Sequence, residues 1–179
     1  MKKHSCGAIL YTIFNNNIFI ILGMEKGEWF PFKGTKDNGE TSEEAAIREV
    51  YEETCGTVKA DKIELKCNYS TKRKHYHIGL VHVSITILKE FYNNRAQILH
   101  KNNFSSKNYA YLEKTDIKMF SLDSIRENKF HDITCIPINF YYQHLEKIQN
   151  SLKKKSINLI PVSVVSPETQ SVRLSPLMI

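Results

Sequence analysis

The segment from Thr41 to Thr54 leaves the rest of this chain the least freedom. Thr41 followed three residues later by Glu44 is a capping box, and it opens a helix over about 42–54. At about 100° per residue, Glu49, Glu52 and Glu53 fall on one arc, and Ala46, Ile47, Val50 and Thr54 fall on the adjoining one. Like charges three and four residues apart destabilise an isolated helix by about 0.2–0.5 kcal/mol per pair. Three carboxylates on one face therefore call for a cation. Oxygen donors without thiol or imidazole point to Mg²⁺ or Mn²⁺ rather than Zn²⁺. Arg48 lies about 40° from Glu52 around the axis and is placed to hold a carboxylate through a bidentate pair.

The flanking pattern is that of one domain of mixed class. Residues 5–14 and 17–24 are apolar runs around Asn15-Asn16-Asn17, a hairpin signal. Residues 29–33 form a short extended piece in which Pro31 argues against a central strand. Residues 34–40 read as a polar loop, 62–69 as a strand, and 75–91 as a long β-branched run. Residues 92–112 read as an Asn-, Lys- and Ser-rich loop, 116–122 as a strand, and 133–152 as a helix with Pro137 near its start. The expected fold class is α/β (α+β), with one domain over residues 1–155 and a tail, 156–179, that is an edge strand or disordered.

Composition closes off other classes. With 41% hydrophobic and 25% charged residues over 179 positions, the chain is an ordinary globular one. No apolar stretch approaches the roughly 20 residues a membrane span needs, and the N-terminus lacks a signal-peptide pattern. Four widely spaced cysteines, Cys6, Cys55, Cys67 and Cys135, fit reduced thiols and a cytoplasmic location. The net charge of +6 favours anionic partners without choosing among them. The basic residues cluster at Lys2-Lys3, Lys72-Arg73-Lys74 and Lys153-Lys154-Lys155.

Gly34, Glu40, Arg48, Glu49, Val50, Glu52 and Glu53 stand in the register of the Nudix hydrolase box, and the sequence resembles that family. The match departs at its end, where Cys55 takes the family's Gly position and Gly56 follows one place late. The resemblance implies a Nudix fold, a mixed β-sheet sandwiched between α-helices. It implies hydrolysis of a diphosphate bond in a nucleoside-diphosphate-linked substrate, with Mg²⁺ or Mn²⁺ as cofactor. Carried over by position, it makes Glu49 and Glu53 the principal metal ligands, joined by Glu52 and the Gly34 carbonyl. Arg48 orients a carboxylate, Glu40 ties down the loop, and Lys33 meets a substrate phosphate. The segment Glu113 to Phe120 resembles the stretch that carries a loop base in decapping relatives, with Met119 in place of Trp. Glu113 is then the candidate base, alongside a box glutamate.

Trp29-Phe30-Pro31-Phe32-Lys33-Gly34 resembles the lead-in of decapping, dinucleoside polyphosphate and diphosphoinositol polyphosphate Nudix enzymes, with Pro one place early. Trp29 and Phe32 are candidates to stack on a base, and the plainer reading is that Phe30 or Phe32 packs into the core. Lys72, Arg73 and Lys74, followed by His75-Tyr76-His77, read as a phosphate or RNA track or as a solvated hairpin tip. No Cys or third His lies near them in sequence to complete a zinc site. The leading substrate is the 5′ cap of mRNA, cleaved to a capped nucleoside diphosphate and a 5′-monophosphate RNA. The alternatives are dinucleoside polyphosphates, diphosphoinositol polyphosphates or oxidised nucleotides, or a Nudix-like module without catalysis. The length and the Asn- and Lys-rich usage also resemble Nudix proteins of large DNA viruses.

Overall fold

The computed structural model describes residues 2–101, 109–127 and 138–157. Its elements run β1 (Lys3–Phe14), β2 (Asn17–Glu25), β3 (Glu28–Phe30), β4 (Phe32–Thr35), α1 (Ser42–Glu53), β5 (Leu65–Ser70), β6 (Lys74–His82), α2 (Ile87–His100), β7 (Asp116–Ser121), α3 (Leu122–Glu127) and α4 (Ile138–Ile157). The β1–β2 hairpin forms as the sequence predicts. Asn15 and Asn16 both take positive φ (47° and 58°), which matches the twist of a tight hairpin.

The seven strands form one mixed sheet built around β1. It runs parallel to β6 from Lys3↔Lys74 to Tyr11↔His82. It runs antiparallel to β2 over one stretch and to β4 over another. Pro31 has no N–H to give a ladder and separates β3, which pairs with β2, from β4, which pairs with β1. β7 lies along the other side of β2, and β5 along β6.

Side chains alternate across the sheet and sort into two cores. Cys6, Ala8, Leu10 and Ile21 face Ala45, Ala46 and Val50 of α1 and Ile87 and Phe91 of α2. Ile9, Ile18, Ile20 and Ile78 face Leu122 and Ile125 of α3 and Leu145 of α4. The sheet is thus sandwiched between helices, the fold class expected. None of the described helices is long and apolar enough to cross a membrane.

Four expectations are corrected. The run 75–91 is not one strand: β6 ends at His82 and α2 begins at Ile87. The segment 92–100, expected as loop, belongs to that helix, because Ile87 and Phe91 stand one turn apart and both bury against α1 and the sheet. The strand expected to end at residue 122 stops at Ser121, whose Oγ accepts the Ser124 N–H and starts α3. The C-terminal helix extends to Ile157, beyond the expected end at residue 152. Its expected start at 133–137 and the tail from residue 158 lie outside the described residues.

α4 is tied to the hairpin by one buried amide. Gln149 accepts the Ile18 N–H through Oε1, and its Nε2 donates to the Asn16 carbonyl at 2.6 Å. Gln149→Leu removes both hydrogen bonds and takes the partner from the buried Ile18 N–H, and urea unfolding should show a loss of about 1–3 kcal/mol. An unchanged midpoint and slope would show that α4 does not depend on this anchor.

Candidate active site

α1 starts where the sequence places its cap. Thr41 Oγ1 accepts the Glu44 N–H at 3.1 Å, and Glu44 Oε2 accepts the Thr41 N–H at 2.7 Å. Glu43 and Glu44 in the first turn suit the positive end of the helix dipole. At the other end Cys55 itself takes a left-handed conformation, φ 54°, and Gly56 follows at φ 73°. The shifted glycine therefore changes how the chain leaves the helix, at a cost of about 1–2 kcal/mol for a non-glycine residue there, and leaves the carboxylates in register. Cys55 is held by burial and by its Sγ–H to the Tyr111 carbonyl.

Arg48 gathers one flank of the site. Its Nε donates to Glu40 Oε1 at 2.7 Å, one terminal nitrogen to Glu49 Oε1 at 2.8 Å and Glu52 Oε2 at 3.1 Å, and the other to Glu40 Oε2 and the Thr35 carbonyl. The Glu40 hydrogen bond holds the guanidinium charged, above its ordinary range, and the same bond holds the Glu40 carboxyl below its own. The Glu49 carboxylate lies directly over Gly34, where any Cβ would run into it. Glycine is needed there for this close approach.

Glu53 organises the other flank. It is 1% exposed, and its Oε2 accepts the Lys33 backbone N–H at 2.7 Å. Its Oε1 lies 3.2 Å from Lys114 Nζ without the alignment of a hydrogen bond. Lys114 is itself fully buried and donates to Glu25 Oε2 at 2.8 Å. Its stem passes over Gly23, and both Lys114 and Lys33 set their ammonium groups about 5.5 Å from the Phe30 ring centre (5.5 and 5.4 Å). Glu25, Glu53 and Glu113 bring carboxylate oxygens within 4.8 Å of one another.

The electrostatics follow from burial. Desolvation pushes the Glu53 carboxyl up to about 8, with Glu113 adding to the rise and Lys114 opposing it. Desolvation also raises Glu49, and it raises Glu113 with help from Glu25. Burial works against the charge on Lys114, but Glu53 and Glu25 outweigh it and its pKa rises. Lys33 is lowered by desolvation and by the neighbouring Lys114. These donors suit a hard divalent cation: all are oxygens, several converge, and Glu53 Oε1 is buried without a hydrogen-bond donor.

The structure brings together most of the residues singled out in sequence. Glu49, Glu53, Arg48, Gly34, Lys33 and Glu113 meet, with Glu52 held at the Arg48 flank. Glu49 and Glu53 point into the sheet rather than to an open helix face, being 8% and 1% exposed. The aromatic candidates are corrected. Phe32 is completely buried beneath α1 and has no ring face to offer. Trp29 packs edge-on against Phe120, on the opposite face of the sheet. The ring that reaches the site is Phe30. Lys72 and Arg73 lie exposed at the β5–β6 turn, and Lys74 opens β6. Glu25 and Lys114 were not legible in sequence. Pairing of β7 with β2, continued by the Thr115 N–H to the Met24 carbonyl, brings Glu113 and Lys114 onto Glu25.

A model of the NUDIX domain matches residues 4–106. The chain belongs to the Nudix domain family. The enzyme class expected from the sequence, a pyrophosphohydrolase, stands with that membership and with the intact box glutamates. The NUDIX domain of Shewanella oneidensis NrtR complexed with ADP ribose is similar, at TM-score 0.55 and 16% identity, over 81% of this chain and 89% of that one. A mutT/nudix family protein from Listeria innocua is similar at TM-score 0.51 and 16% identity, over 87% and 97%. MutT, from a study of the Aliivibrio salmonicida and Vibrio cholerae proteins, is similar at TM-score 0.50 and 13% identity, over 83% and 96%. At these identities the likeness carries the fold alone. No curated protein matches the chain significantly.

The raised pKa of Glu53 fixes a stability test. An unfolded glutamate titrates near 4.3, and Glu53 titrates near 8 when folded. Between those values the folded state holds the extra proton. The Glu53 contribution is thus most favourable at the acid end and is lost as pH rises through the folded pKa. In chelator, Glu53→Gln should gain stability over the parent between pH 5 and pH 8, by more than about 1 kcal/mol. A difference that stays flat across that window contradicts the burial account.

Proposed function

We propose that this chain is a divalent-metal-dependent Nudix diphosphohydrolase whose substrate is the 5′ cap of RNA, cleaved to a capped nucleoside diphosphate and a 5′-monophosphate RNA. The observation that carries the hydrolase part is the meeting of Glu25, Glu53 and Glu113 within 4.8 Å, around a Glu53 oxygen that has no hydrogen-bond donor. The decapping subclass is supported by the sequence resemblance of the lead-in and of the Glu113 segment, and by the basic clusters. An origin in a large DNA virus belongs to the same reading. The buried thiols of Cys6 and Cys55, not joined in a disulfide, support a cytoplasmic setting.

Glu49, Glu53, Glu52 and the Gly34 carbonyl are the groups that would hold Mg²⁺ or Mn²⁺, with Glu25 and Glu113 adding carboxylate oxygen nearby. Such a cation supplies charge neutralisation at the diphosphate and lowers the pKa of an attacking water. The remaining work falls to the chain. Glu113 sits on a loop beside this cluster, and desolvation raises its carboxyl toward the range in which a general base works near neutrality. Arg48 is a positioning residue: its fork fixes Glu49 and Glu52 and fastens them to the loop through Glu40 and Thr35. Lys33, whose ammonium group lies over Phe30, is the residue to meet a substrate phosphate, while the buried Lys114 holds Glu25 and Glu53 in place. Lys72, Arg73 and Lys74 hold the substrate beyond the scissile bond.

A substrate panel with Mg²⁺ or Mn²⁺ tests the assignment. Capped RNA should exceed dinucleoside and diphosphoinositol polyphosphates in kcat/KM by at least about tenfold; a small polyphosphate turned over faster would displace the cap. Glu53→Gln should remove nearly all hydrolysis. Glu113→Gln should lower kcat by about 10²–10⁴ and flatten the acid limb of the pH profile. A change below about threefold moves the base elsewhere.

A further inference from the structure

The parallel pairing of β1 with β6 assembles a cluster of imidazoles that the sequence scatters. His4 pairs with His75, and Cys6 with His77, so His4, His75 and His77 share one face of the sheet. The His4 and His75 rings stack at 5.0 Å between centroids, and His4 and His77 at 5.2 Å. His4 Nδ1 lies 2.9 Å from His77 Nε2. A contact of that length between two ring nitrogens holds a single proton, so charging both rings sets N–H against N–H. The other partners are neutral: Asn68 Oδ1 at 2.8 Å from His77 and Ser70 Oγ at 2.6 Å from His75, both from β5.

What reaches His77 is basic. The charged groups that reach His77 are His4 from β1, His75 from its own strand, and Lys36 from the loop after β4. Lys3 and Lys74 pair at the head of the same two strands, and Lys72 and Arg73 precede them. The cluster is also fastened to the box: the Lys36 N–H donates to the His4 carbonyl at 3.0 Å. Beyond it, Lys74 lies within electrostatic reach of Lys33, whose own N–H holds Glu53. Cationic and protonatable groups packed together at one end of a sheet repel one another, and a polyanion relieves that repulsion.

We propose that His4, His75 and His77, with Lys36 and the basic β5–β6 turn, form a docking track for the RNA body of the substrate. The inference rests on capped RNA being the substrate. It adds where the chain of phosphates runs, from the carboxylate cluster past Lys33 and Lys74 across the end of the sheet.

The test measures binding of uncapped 5′-hydroxyl RNA, which carries no diphosphate to hydrolyse, to the full chain in Mg²⁺. Oligomers of about 10 and about 30 nucleotides should differ, the longer binding more tightly and with the steeper salt dependence. In the triple variant His4→Gln, His75→Gln, His77→Gln affinity for the longer RNA should fall by at least about threefold, and Lys36→Glu should weaken it by at least about tenfold. Thermal unfolding of each variant checks that the fold is kept, and Lys36→Glu supplies the answer if the triple variant does not fold. Unchanged RNA affinity in both variants overturns the track, as does equal or tighter binding to anionic lipid vesicles. Because binding is read without turnover, a chain that cleaves capped RNA while both variants bind normally loses this inference alone. Hydrolysis confined to small polyphosphates removes the capped-RNA reading instead.

Discussion

The burial of Glu53 is the interaction on which the site depends. A carboxylate taken out of water costs several kcal/mol unless it is paired and hydrogen-bonded. Here the Lys33 N–H takes one oxygen and the Lys114 ammonium stands beside the other. The first partner fixes β4 against α1. The second fixes the loop before β7, and with it Glu113. One acid on the helix thus sets the positions of the lead-in strand and of the distant loop. Lys114 carries the constraint to Glu25 on β2, so four separate elements meet at this carboxylate.

Arg48 does for the exposed flank what Lys114 does for the buried one. Its planar fork satisfies Glu40, Glu49 and Glu52 together, which the point charge of a lysine does not. The two flanks leave the Glu49 carboxylate against Gly34 and the Glu53 carboxylate beneath Lys33, one helical turn apart. Repulsion among these acids is offset locally, while the basic excess of the chain lies elsewhere, at the head of β1 and β6 and on the turn between β5 and β6. The net charge of +6 read from the sequence is therefore divided in space between an acidic centre and a basic rim.

Local features were legible in the sequence and long-range ones were not. The Thr41–Glu44 cap, the Asn15-Asn16 turn and the Arg48 fork are set by spacings within a few residues, and the structure reproduces each. Glu25 and Lys114 gave no such signal, because each is an ordinary charged residue beside a turn until β7 pairs with β2. His4 joins His75 and His77 only through the β1–β6 register, 73 residues away from His77. The helix α2 was hidden by a β-branched run continuing from β6, and its burial by Ile87 and Phe91 overrode that local preference. The aromatic lead-in illustrates a third limit. Which of Trp29, Phe30 and Phe32 faces the site depends on where the chain breaks between β3 and β4. Pro31 marks that break, but the resulting faces are settled by pairing with β2 and β1.

The central claim of the proposed function is that the buried carboxylates, held by Arg48 and Lys114, are further stabilised when they share a divalent cation. The most direct measurement is the unfolding temperature of the full chain as Mn²⁺ or Mg²⁺ is raised from chelator into the millimolar range. Binding to the folded state alone raises stability as the logarithm of cation concentration, by about 2.7 kcal/mol at a hundredfold excess over Kd. The account predicts a steadily rising midpoint in the parent and a markedly smaller rise in Glu53→Gln. A midpoint that ignores the cation, or one that rises equally in both proteins, would contradict it.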